Sequence, residues 1–262
     1  MKSGDTLEDL YKDFYSTHTP QIIRTTLSTA ELIKYASNAM LATKISFINT
    51  IANMCEKIPG ADVKVVAIAM GLDKRIGPLF LDAGLGYGGS CFPKDVKALI
   101  ACSKTFGYTP ELLESTENVN KTQPLKAVEF CKEKLGNLEG KKIAILGLAF
   151  KPDTDDMREA RVIPIINQLL KEGANVTAYD PVALDTAKTI FQNKIQYAPT
   201  AISCLKNADA AILVTEWEEF KKLTPDKFTK HMKQPILIDG RRIYNPETFK
   251  NKMKFTAIGL GN

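Results

Sequence analysis

The chain has 262 residues, of which 44% are hydrophobic and 25% are charged, and its formal net charge is +5. This composition is typical of a soluble globular protein with one large domain or two ordinary ones. It excludes a membrane span, because no apolar run reaches the ~18 residues needed. The N-terminal stretch MKSGDTLEDLYKDF lacks the apolar core of a signal peptide. The mild positive charge suits an anionic ligand, and no basic patch with interleaved aromatic residues indicates nucleic acid.

Cysteine and histidine usage limits the possible chemistry. The cysteines show no CxxC or metal-like spacing, which predicts free thiols, a cytoplasmic location and no metal site. The histidines, His18 and His231, lie in no motif, so a Ser-His-Asp or Cys-His arrangement is not predicted. The five cysteines are Cys55, Cys91, Cys102, Cys131 and Cys204.

The first 27 residues combine a helical pattern, TLEDLYKDFYST, with QIIRTTL at 21–27, which is typical of a strand. No strand pattern follows between residues 28 and 136, so the backbone groups of this strand would lack partners. We therefore interpret 1–27 as the remnant of a domain whose sheet lies outside this sequence.

An all-helical domain is predicted next, over 28–120. Its first and longest helix covers 28–58, opening with a capping box of Ser28 and Glu31 and ending before Pro59. Further helices are predicted at 61–71, at 91–107, and at 109–136 with a break at Pro124.

The pattern changes after Gly140, where short apolar strands alternate with helices. This order predicts an α/β fold with a parallel, doubly wound, Rossmann-like sheet over 121–262. The predicted strands are KKIAILGLAF (141–150), NVTAYDP (175–181), ADAAILVTE (208–216), PILIDGR (235–241) and FTAIGLG (255–261).

The stretch GLGYGGSCFPKD, residues 84–95, carries the strongest chemical signal. As a dinucleotide fingerprint it is weak, because the preceding LFLDA is a poor strand. Its glycines fit a loop that lets backbone N–H groups approach a ligand. Cys91 follows at the start of a helix, near Lys94, and both features favour the thiolate. We expect Cys91 to be reactive and the other four cysteines to be buried and inert.

Three further segments carry candidate ligand-binding groups. Lys34 and Asn38 share one helix face, where the lysine is either a surface residue or directed at a site. The segment GLAFKPDTDDMREAR (147–161) follows a strand and is cationic through Lys151, Arg158 and Arg161, which suits a phosphate or a solvated loop. DGRR (239–242) also ends a strand.

These segments together resemble one known family. AELIKYASNAMLATKISFIN, GLDKRIGPLFLDAGLGYGGSCFPKD, GLAFKPDTDDMREA and IDGRR are similar, in this order, to the UDP-glucose 6-dehydrogenases among the nucleotide-sugar dehydrogenases. The resemblance implies an NAD-binding domain, of which only 1–27 would be present, a dimerising helical domain and a UDP-binding domain. It therefore implies a homodimer whose main NAD site lies on residues outside this sequence, either on the rest of the same protein or on a separate polypeptide.

The resemblance also implies a mechanism, the oxidation of UDP-glucose to UDP-glucuronate in two hydride transfers to NAD. Cys91 would form a thiohemiacetal and then a thioester with C6 of the sugar. Lys34 and Asn38 would stabilise charge on the C6 oxygen, and Asp95 would hold water. The implied NAD contacts are Cys91, Lys94 and Arg158.

The implied substrate contacts are spread over all the matching motifs. Arg75 would reach the substrate from the neighbouring subunit, and the choice between Arg241 and Arg242 stays open. A non-catalytic nucleotide-sugar-binding module, a GDP-mannose dehydrogenase fragment and another thiol-dependent enzyme remain alternatives. The substrate-binding residues are Lys34, Asn38, Arg75, Phe80, Asp82, Gly84, Gly86, Tyr87, Gly88, Phe92, Phe150, Lys151 and Arg241.

Overall fold

In the computed structural model, which describes residues 2–15, 18 and 20–261, the chain divides into two units, Met1–Ser37 and Asn38–Asn262. The first unit begins with helix α1 (Lys2–Phe14). The last residues of the predicted TLEDLYKDFYST helix, 16 and 17, lie outside the described residues. Arg24 donates to Asp5 and Glu8 at 2.6 Å each, which links the segment after α1 to the helix.

The strand predicted at 21–27 is wrong. Residues 20–26, all of them described, form no strand, and Leu27 already begins helix α2 (Leu27–Cys55). A strand needs a neighbour to bind its peptide groups, and no described residue of the first unit supplies one. Despite its high β-propensity, this segment therefore forms no strand within the described part of the unit.

Helix α2 also begins at a different cap from the predicted one. The N–H of Thr29 donates to Oγ1 of Thr26 at 3.3 Å, so Thr26 caps the helix instead of Ser28. The long helix itself is confirmed, with 29 residues and no glycine or proline.

Four more helices precede the sheet. They are α3 (Val63–Gly71), α4 (Phe92–Thr105), α5 (Glu111–Thr122) and α6 (Lys126–Leu135). The predicted break at Pro124 is confirmed as a 3-10 turn, Gln123–Leu125, because proline has no N–H for a continuous helix.

The rest of the chain forms a six-stranded parallel sheet in the order β3-β2-β1-β4-β5-β6, which confirms the α/β fold. The sequence analysis missed β3, which has two residues and therefore no periodicity to detect. The strands are β1 (Lys142–Leu146), β2 (Asn175–Tyr179), β3 (Gln196–Tyr197), β4 (Ala210–Leu213), β5 (Ile236–Asp239) and β6 (Lys254–Ala257). The helices between and after them are α7 (Val162–Lys171), α8 (Leu184–Phe191), α9 (Ala201–Leu205), α10 (Glu218–Lys221), α11 (Pro225–His231) and α12 (Pro246–Lys250).

One hydrophobic core joins the sheet to the helices of the second unit. Residues 143–146 of β1 are fully buried, as expected for a parallel strand covered on both faces. The same core contains Ile48 and Ala52 of α2 and Leu85 from the loop before α4. The predicted boundary between 120 and 121 lies inside this unit, and the domain limits 28–120 and 121–262 stay predictions.

An ion pair connects the segment after β5 to the start of α3. The guanidinium of Arg242, 3% exposed, donates to both carboxylate oxygens of Asp62 at 2.8 Å and to the carbonyl of Ile258. Asp62 also caps α3 by accepting from the N–H of Lys64 at 2.8 Å. Asp62 therefore stabilises a helix end and a nearly buried charge together.

Substitution of Asp62 tests this connection. We expect Asp62→Ala to lower the free energy of unfolding by about 3 kcal/mol, since it leaves Arg242 buried without its partner and removes a helix cap. Asp62→Asn keeps the cap acceptor and should cost less. Asp185→Ala, at an exposed pair with Lys188, is the control and should change the free energy by under ~1 kcal/mol. Urea unfolding measures all three; equal effects of Asp62→Ala and Asp185→Ala would contradict the account.

Candidate active site

The carboxyl edge of the sheet gathers three loops. The crossover connections diverge between β1 and β4, and ligands of doubly wound folds bind at such a point. Thr215, after β4, donates its hydroxyl to the carbonyl of Ala149, after β1, at 2.6 Å. Arg241, after β5, donates from Nε to the carbonyl of Val214 at 2.6 Å. These bonds hold the three loops together.

The glycine loop, defined as Gly84–Ser90, packs against these sheet loops. The N–H of Gly89 donates to the carbonyl of Arg158 at 2.9 Å, and Nη1 of Arg241 donates to the carbonyl of Gly86 at 3.4 Å. A Cβ at Gly89 would lie 2.7 Å from the Phe150 ring, so the loops could not approach this closely with a larger residue. The predicted glycine motif and the predicted cationic segment are therefore neighbours.

Cys91 occupies the N-cap position of α4 and is exposed to solvent. Its Sγ lies 3.7 Å from Oγ of Ser90, and its carbonyl accepts from the N–H of Asp95 at 2.9 Å. The pKa of the Arg158 guanidinium is raised chiefly by its hydrogen bond to Asp156. Cys91 thus presents an accessible sulfur at the N-terminus of a helix.

The other cysteines divide into two classes. Cys55, Cys131 and Cys204 are buried as predicted, and burial raises the pKa of Cys131 and of Cys204 to about 12 and also raises the pKa of Cys55. The expectation of burial is wrong for Cys102, which is exposed near the end of α4. Cys102 lacks the helix N-terminus that Cys91 has.

Asp95 lies one turn after Cys91 and is fully buried. Its carboxylate accepts from Nδ2 of Asn38 at 2.6 Å and from Nζ of Lys94. Asn38 of α2 and Asp95 of α4, two of the predicted catalytic residues, are therefore in contact. Lys34 belongs to the first unit, where its Nζ lies 5.6 Å from the centroid of the Tyr35 ring.

The cationic segment after β1 divides into exposed and buried charges. Lys151 is exposed, with Nζ 5.6 Å from the Phe150 ring centroid, and Arg158 is exposed and paired with Asp156 at 2.7 Å. Arg161 is buried, which lowers the pKa of its guanidinium, and it donates to backbone carbonyls of Glu159 and Asn120. Arg161 therefore does not contribute to the exposed charge of this segment.

A cavity of about 240 Å³ lies between α3, the segment before the glycine loop and the end of β5. Its lining includes Lys64, Asp82, Ala83, Arg241 and Arg242. The guanidinium of Arg242 is held by Asp62, whereas that of Arg241 lies against the glycine loop. The geometry therefore favours Arg241 as the ligand-binding arginine.

Phe80 and Arg75 are two further residues of the predicted substrate site. Phe80 has a φ of 64°, in the region that favours glycine, and its ring lies 6.0 Å from that of Phe92. Arg75 is exposed, and its side chain pairs with Asp73 at 2.6 Å, which raises its pKa. Arg75 is not among the residues that line the cavity.

Asp180, at the end of β2, was missed by the sequence analysis, although its position directly after a strand is a detectable signal. Dinucleotide-binding folds use an acidic residue here to bind a ribose hydroxyl. The carboxylate of Asp180 is fully buried, and the protein itself occupies both oxygens, so the sheet does not fit NAD in that way. The donors are the N–H groups of Leu148, Ala149, Val182 and Ala183 and Nε1 of Trp217.

Two other kinds of feature are not found in the part of the chain that the structure describes. None of its helices combines the length and apolar character needed to cross a membrane. Its His, Cys, Asp and Glu side chains form no group of three or more that could hold a metal ion.

Comparison with known proteins matches both halves of the chain to one family. Residues 28–122 match the UDP-glucose/GDP-mannose dehydrogenase family, central domain, and residues 144–246 match its UDP binding domain. Two similar curated relatives are UDP-glucose 6-dehydrogenase YwqF of Bacillus subtilis, 46% identical over 98% of this chain, and AglM of Haloferax volcanii, 50% identical over 86%. The chain spans 58% and 51% of their lengths.

A solved structure gives the same result. A UDP-glucose dehydrogenase from Pyrobaculum islandicum is 34% identical and superposes with a TM-score of 0.89, over 99% of this chain and 56% of that one. The superposition covers both the helical region and the parallel sheet of this chain. The chain belongs to the UDP-glucose/GDP-mannose dehydrogenase family.

Proposed function

We propose that this chain is the sugar-nucleotide-binding and covalent-catalysis portion of a UDP-glucose 6-dehydrogenase. The observation that carries the proposal is the exposed Cys91 at the N-terminus of α4, directly after a glycine loop packed on the carboxyl edge of the sheet. The curated relatives named above support UDP-glucose as the substrate, because both are named UDP-glucose 6-dehydrogenase.

Cys91 acts on C6 of the hexose after the alcohol has been oxidised to an aldehyde. The thiolate adds to the aldehyde carbon, a C–S bond forms, and the oxygen takes a proton to give a thiohemiacetal. Loss of a hydride and of the hydroxyl proton would convert the thiohemiacetal to a thioester, and bound NAD would supply the acceptor for that hydride. Water then adds to the thioester carbon, the C–S bond breaks, and the carboxylate and the thiolate are released.

Asn38 and Asp95 stabilise and hydrate this centre. The amide of Asn38 and, as the resemblance implies, Lys34 donate toward oxygen charge at C6. Asp95 holds the amide of Asn38 at 2.6 Å and orients the water that hydrolyses the thioester. The bond between the two side chains fixes a donor and an acceptor beside the reacting carbon.

The nucleotide occupies the cleft beside the glycine loop. Arg241 binds the diphosphate at the cavity, with Asp82 at its wall, while Phe150 and Lys151 contact the rest of the UDP. The glycosyl part lies along Gly84, Gly86, Tyr87 and Gly88, flanked by Phe80 and Phe92. The N–H groups of Gly84 and Tyr87 already donate inside the protein, so the ligand contacts of this segment come from its other groups.

NAD is held mainly by residues outside this chain, and it supplies the acceptor for both hydrides. The buried and fully bonded Asp180 supports this division, because it leaves the sheet without a ribose-binding acid. Lys94 follows Cys91 by three residues, and the carbonyl of the exposed Arg158 binds the N–H of Gly89 in the glycine loop. Both side chains extend toward the cofactor. The free thiols fit a reducing cytoplasm.

A homodimer forms through the helical region. Met40, Phe47 and Met54 repeat every seven residues along α2 and are 59%, 48% and 54% exposed. A helix stripe with this spacing is typical of a helix-packing interface. Arg75, which is exposed, would cross this interface to the substrate of the partner.

Ligand binding provides the first test. Calorimetry should show that the chain binds UDP-glucose, and that Arg241→Gln weakens binding about tenfold or more through the lost charge-assisted bonds. Lys252→Gln, at an exposed pair with Asp226, is the control and should bind normally. NAD should bind weakly or not at all. Competition with UDP-galactose and GDP-mannose identifies the sugar nucleotide; robust NADH formation by the chain alone would contradict the proposal.

Thiol labelling tests the nucleophile with an internal reference. At about pH 8, iodoacetamide should modify Cys91 faster than Cys102, which is also exposed, because only Cys91 has the helix N-terminus. Cys131 and Cys204 should stay unmodified, since burial keeps their pKa near 12. UDP-glucose should slow labelling of Cys91 alone. Peptide mass spectrometry measures each rate; equal rates at Cys91 and Cys102 would count against the nucleophile.

Sedimentation tests the interface. Phe47→Glu places a charge in the apolar stripe and should convert the dimer to a monomer at micromolar concentration. Phe106→Glu, at an 82% exposed residue outside the stripe, is the matched control and should stay dimeric. A Phe47→Glu variant that sediments like the wild type would place the interface elsewhere.

A further inference from the structure

The glycine loop is buried but belongs to no helix or strand, so its peptide groups need other partners. At Gly84, one side chain binds the N–H and another the carbonyl. The N–H donates to Oδ1 of Asn49 at 2.8 Å, and Nε2 of Gln123 donates to the carbonyl at 2.9 Å. Asn53 donates in turn to Oε1 of Gln123 at 2.9 Å, which fixes the orientation of that amide.

At Tyr87, a single side chain binds both peptide groups. The N–H of Tyr87 donates to Oδ1 of Asn120 at 2.8 Å, and Nδ2 of Asn120 donates to the carbonyl of Tyr87 at 3.1 Å. The carboxamide thus pairs with the backbone as a neighbouring strand would. Asn49, Asn120 and Gln123 are each 2% exposed or less.

These three residues come from separate elements. Asn49 lies on α2, Asn120 on α5 and Gln123 on the 3-10 turn that follows it. Each presents a carboxamide, the neutral side-chain group that can donate and accept at the same time. Side-chain amides from α2 on one side, and from α5 and the 3-10 turn on the other, therefore bind the N–H and C=O groups of the loop.

The restraint on Tyr87 reaches the start of α4. The Tyr87 ring packs edge-to-face against the ring of Phe92, with 6.0 Å between centroids. Phe92 is the first residue of α4 and follows Cys91 directly. The backbone of Asn120 also accepts from Arg161, which anchors the segment whose Arg158 carbonyl binds the N–H of Gly89.

We propose that Asn49, Asn120 and Gln123 form a carboxamide clamp that preorganises the glycine loop in the absence of ligand and so positions Cys91 and the sugar nucleotide. The three are positioning residues, because they act through the loop. The expected effect on UDP-glucose binding rests on the proposed function. The order of the loop without ligand does not depend on that function and can be measured by itself. Preorganisation increases affinity because a loop that is already ordered loses little conformational entropy when the ligand binds.

The wild-type chain provides a first measurement. Hydrogen exchange resolved to single amides, without ligand, should show the N–H groups of Gly84 and Tyr87 protected at least about tenfold relative to the amide of Leu79, a 72% exposed residue. Exchange of Gly84 and Tyr87 as fast as that of Leu79 would overturn the clamp. If the loop is protected but UDP-glucose does not bind, the proposed function fails and the clamp stands.

Asn120→Asp provides the second measurement, with Asn118→Asp as its control. Both change an amide to a carboxylate on α5, but Asn118 is exposed. Asn120→Asp places an acceptor against the carbonyl of Tyr87, so we expect exchange at Tyr87 to rise and UDP-glucose affinity to fall, each about tenfold. The Cys91 to Cys102 labelling ratio should also change, which loss of stability alone would not produce.

Gln123→Glu covers the case in which Asn120→Asp does not fold. It removes the donor to the carbonyl of Gly84 and should raise exchange in the loop. Asn118→Asp should leave exchange, affinity and labelling unchanged. A folded Asn120→Asp or Gln123→Glu variant with wild-type exchange, affinity and labelling ratio would overturn the proposal.

Discussion

A buried loop outside helices and strands is stable only if other groups bind its peptide N–H and C=O groups, and the rest of the site depends on how the glycine loop meets this condition. Its partners are side-chain amides from the helices on one side and groups of the sheet loops on the other, namely the Arg158 carbonyl and the Arg241 guanidinium. An unpaired peptide group here would cost about 1–3 kcal/mol. The loop therefore fixes the position of the helical region against the sheet.

This constraint explains why the sulfur of Cys91 lies where it does. Cys91 follows the glycine loop and begins α4, so its position is determined by the same bonds that hold the loop. The carboxyl edge of the sheet then places cations beside the loop, while its own acidic position, Asp180, is used internally to order the loop after β1. The sheet edge and the helical region thus meet at the loop, and Cys91, Asn38 and Asp95 all come from the helical region.

Features that follow from local pattern could be predicted from the sequence. The parallel sheet followed from strands alternating with helices, and the helix start at Cys91 followed from the glycines before it and Pro93 after it. Features that depend on a distant partner could not. The segment 21–27 has strand-like residues but no neighbour, and Arg161 has the charge for a phosphate but lies buried against backbone carbonyls. Asn120 carries no signal, because its function depends on a loop 33 residues earlier in the chain.

The distinction between Arg241 and Arg242 shows the same limit. The two are adjacent and chemically identical, and only the fold assigns one to Asp62 and the other to the glycine loop. The left-handed backbone of Arg242, with a φ of 56°, turns the chain between them. Tertiary contacts thus decide which of the two arginines forms a buried ion pair and which lies at the glycine loop.

The central claim is that the glycine loop and the carboxyl edge of the sheet place the hexose C6 of a UDP-sugar at Cys91. A crystal structure of this chain with UDP-glucose tests it most directly. The account predicts the diphosphate at Arg241 and C6 within about 4 Å of the sulfur, close enough for a covalent bond to form after oxidation. A sugar nucleotide bound away from the glycine loop, or with its hexose pointing away from Cys91, would contradict it.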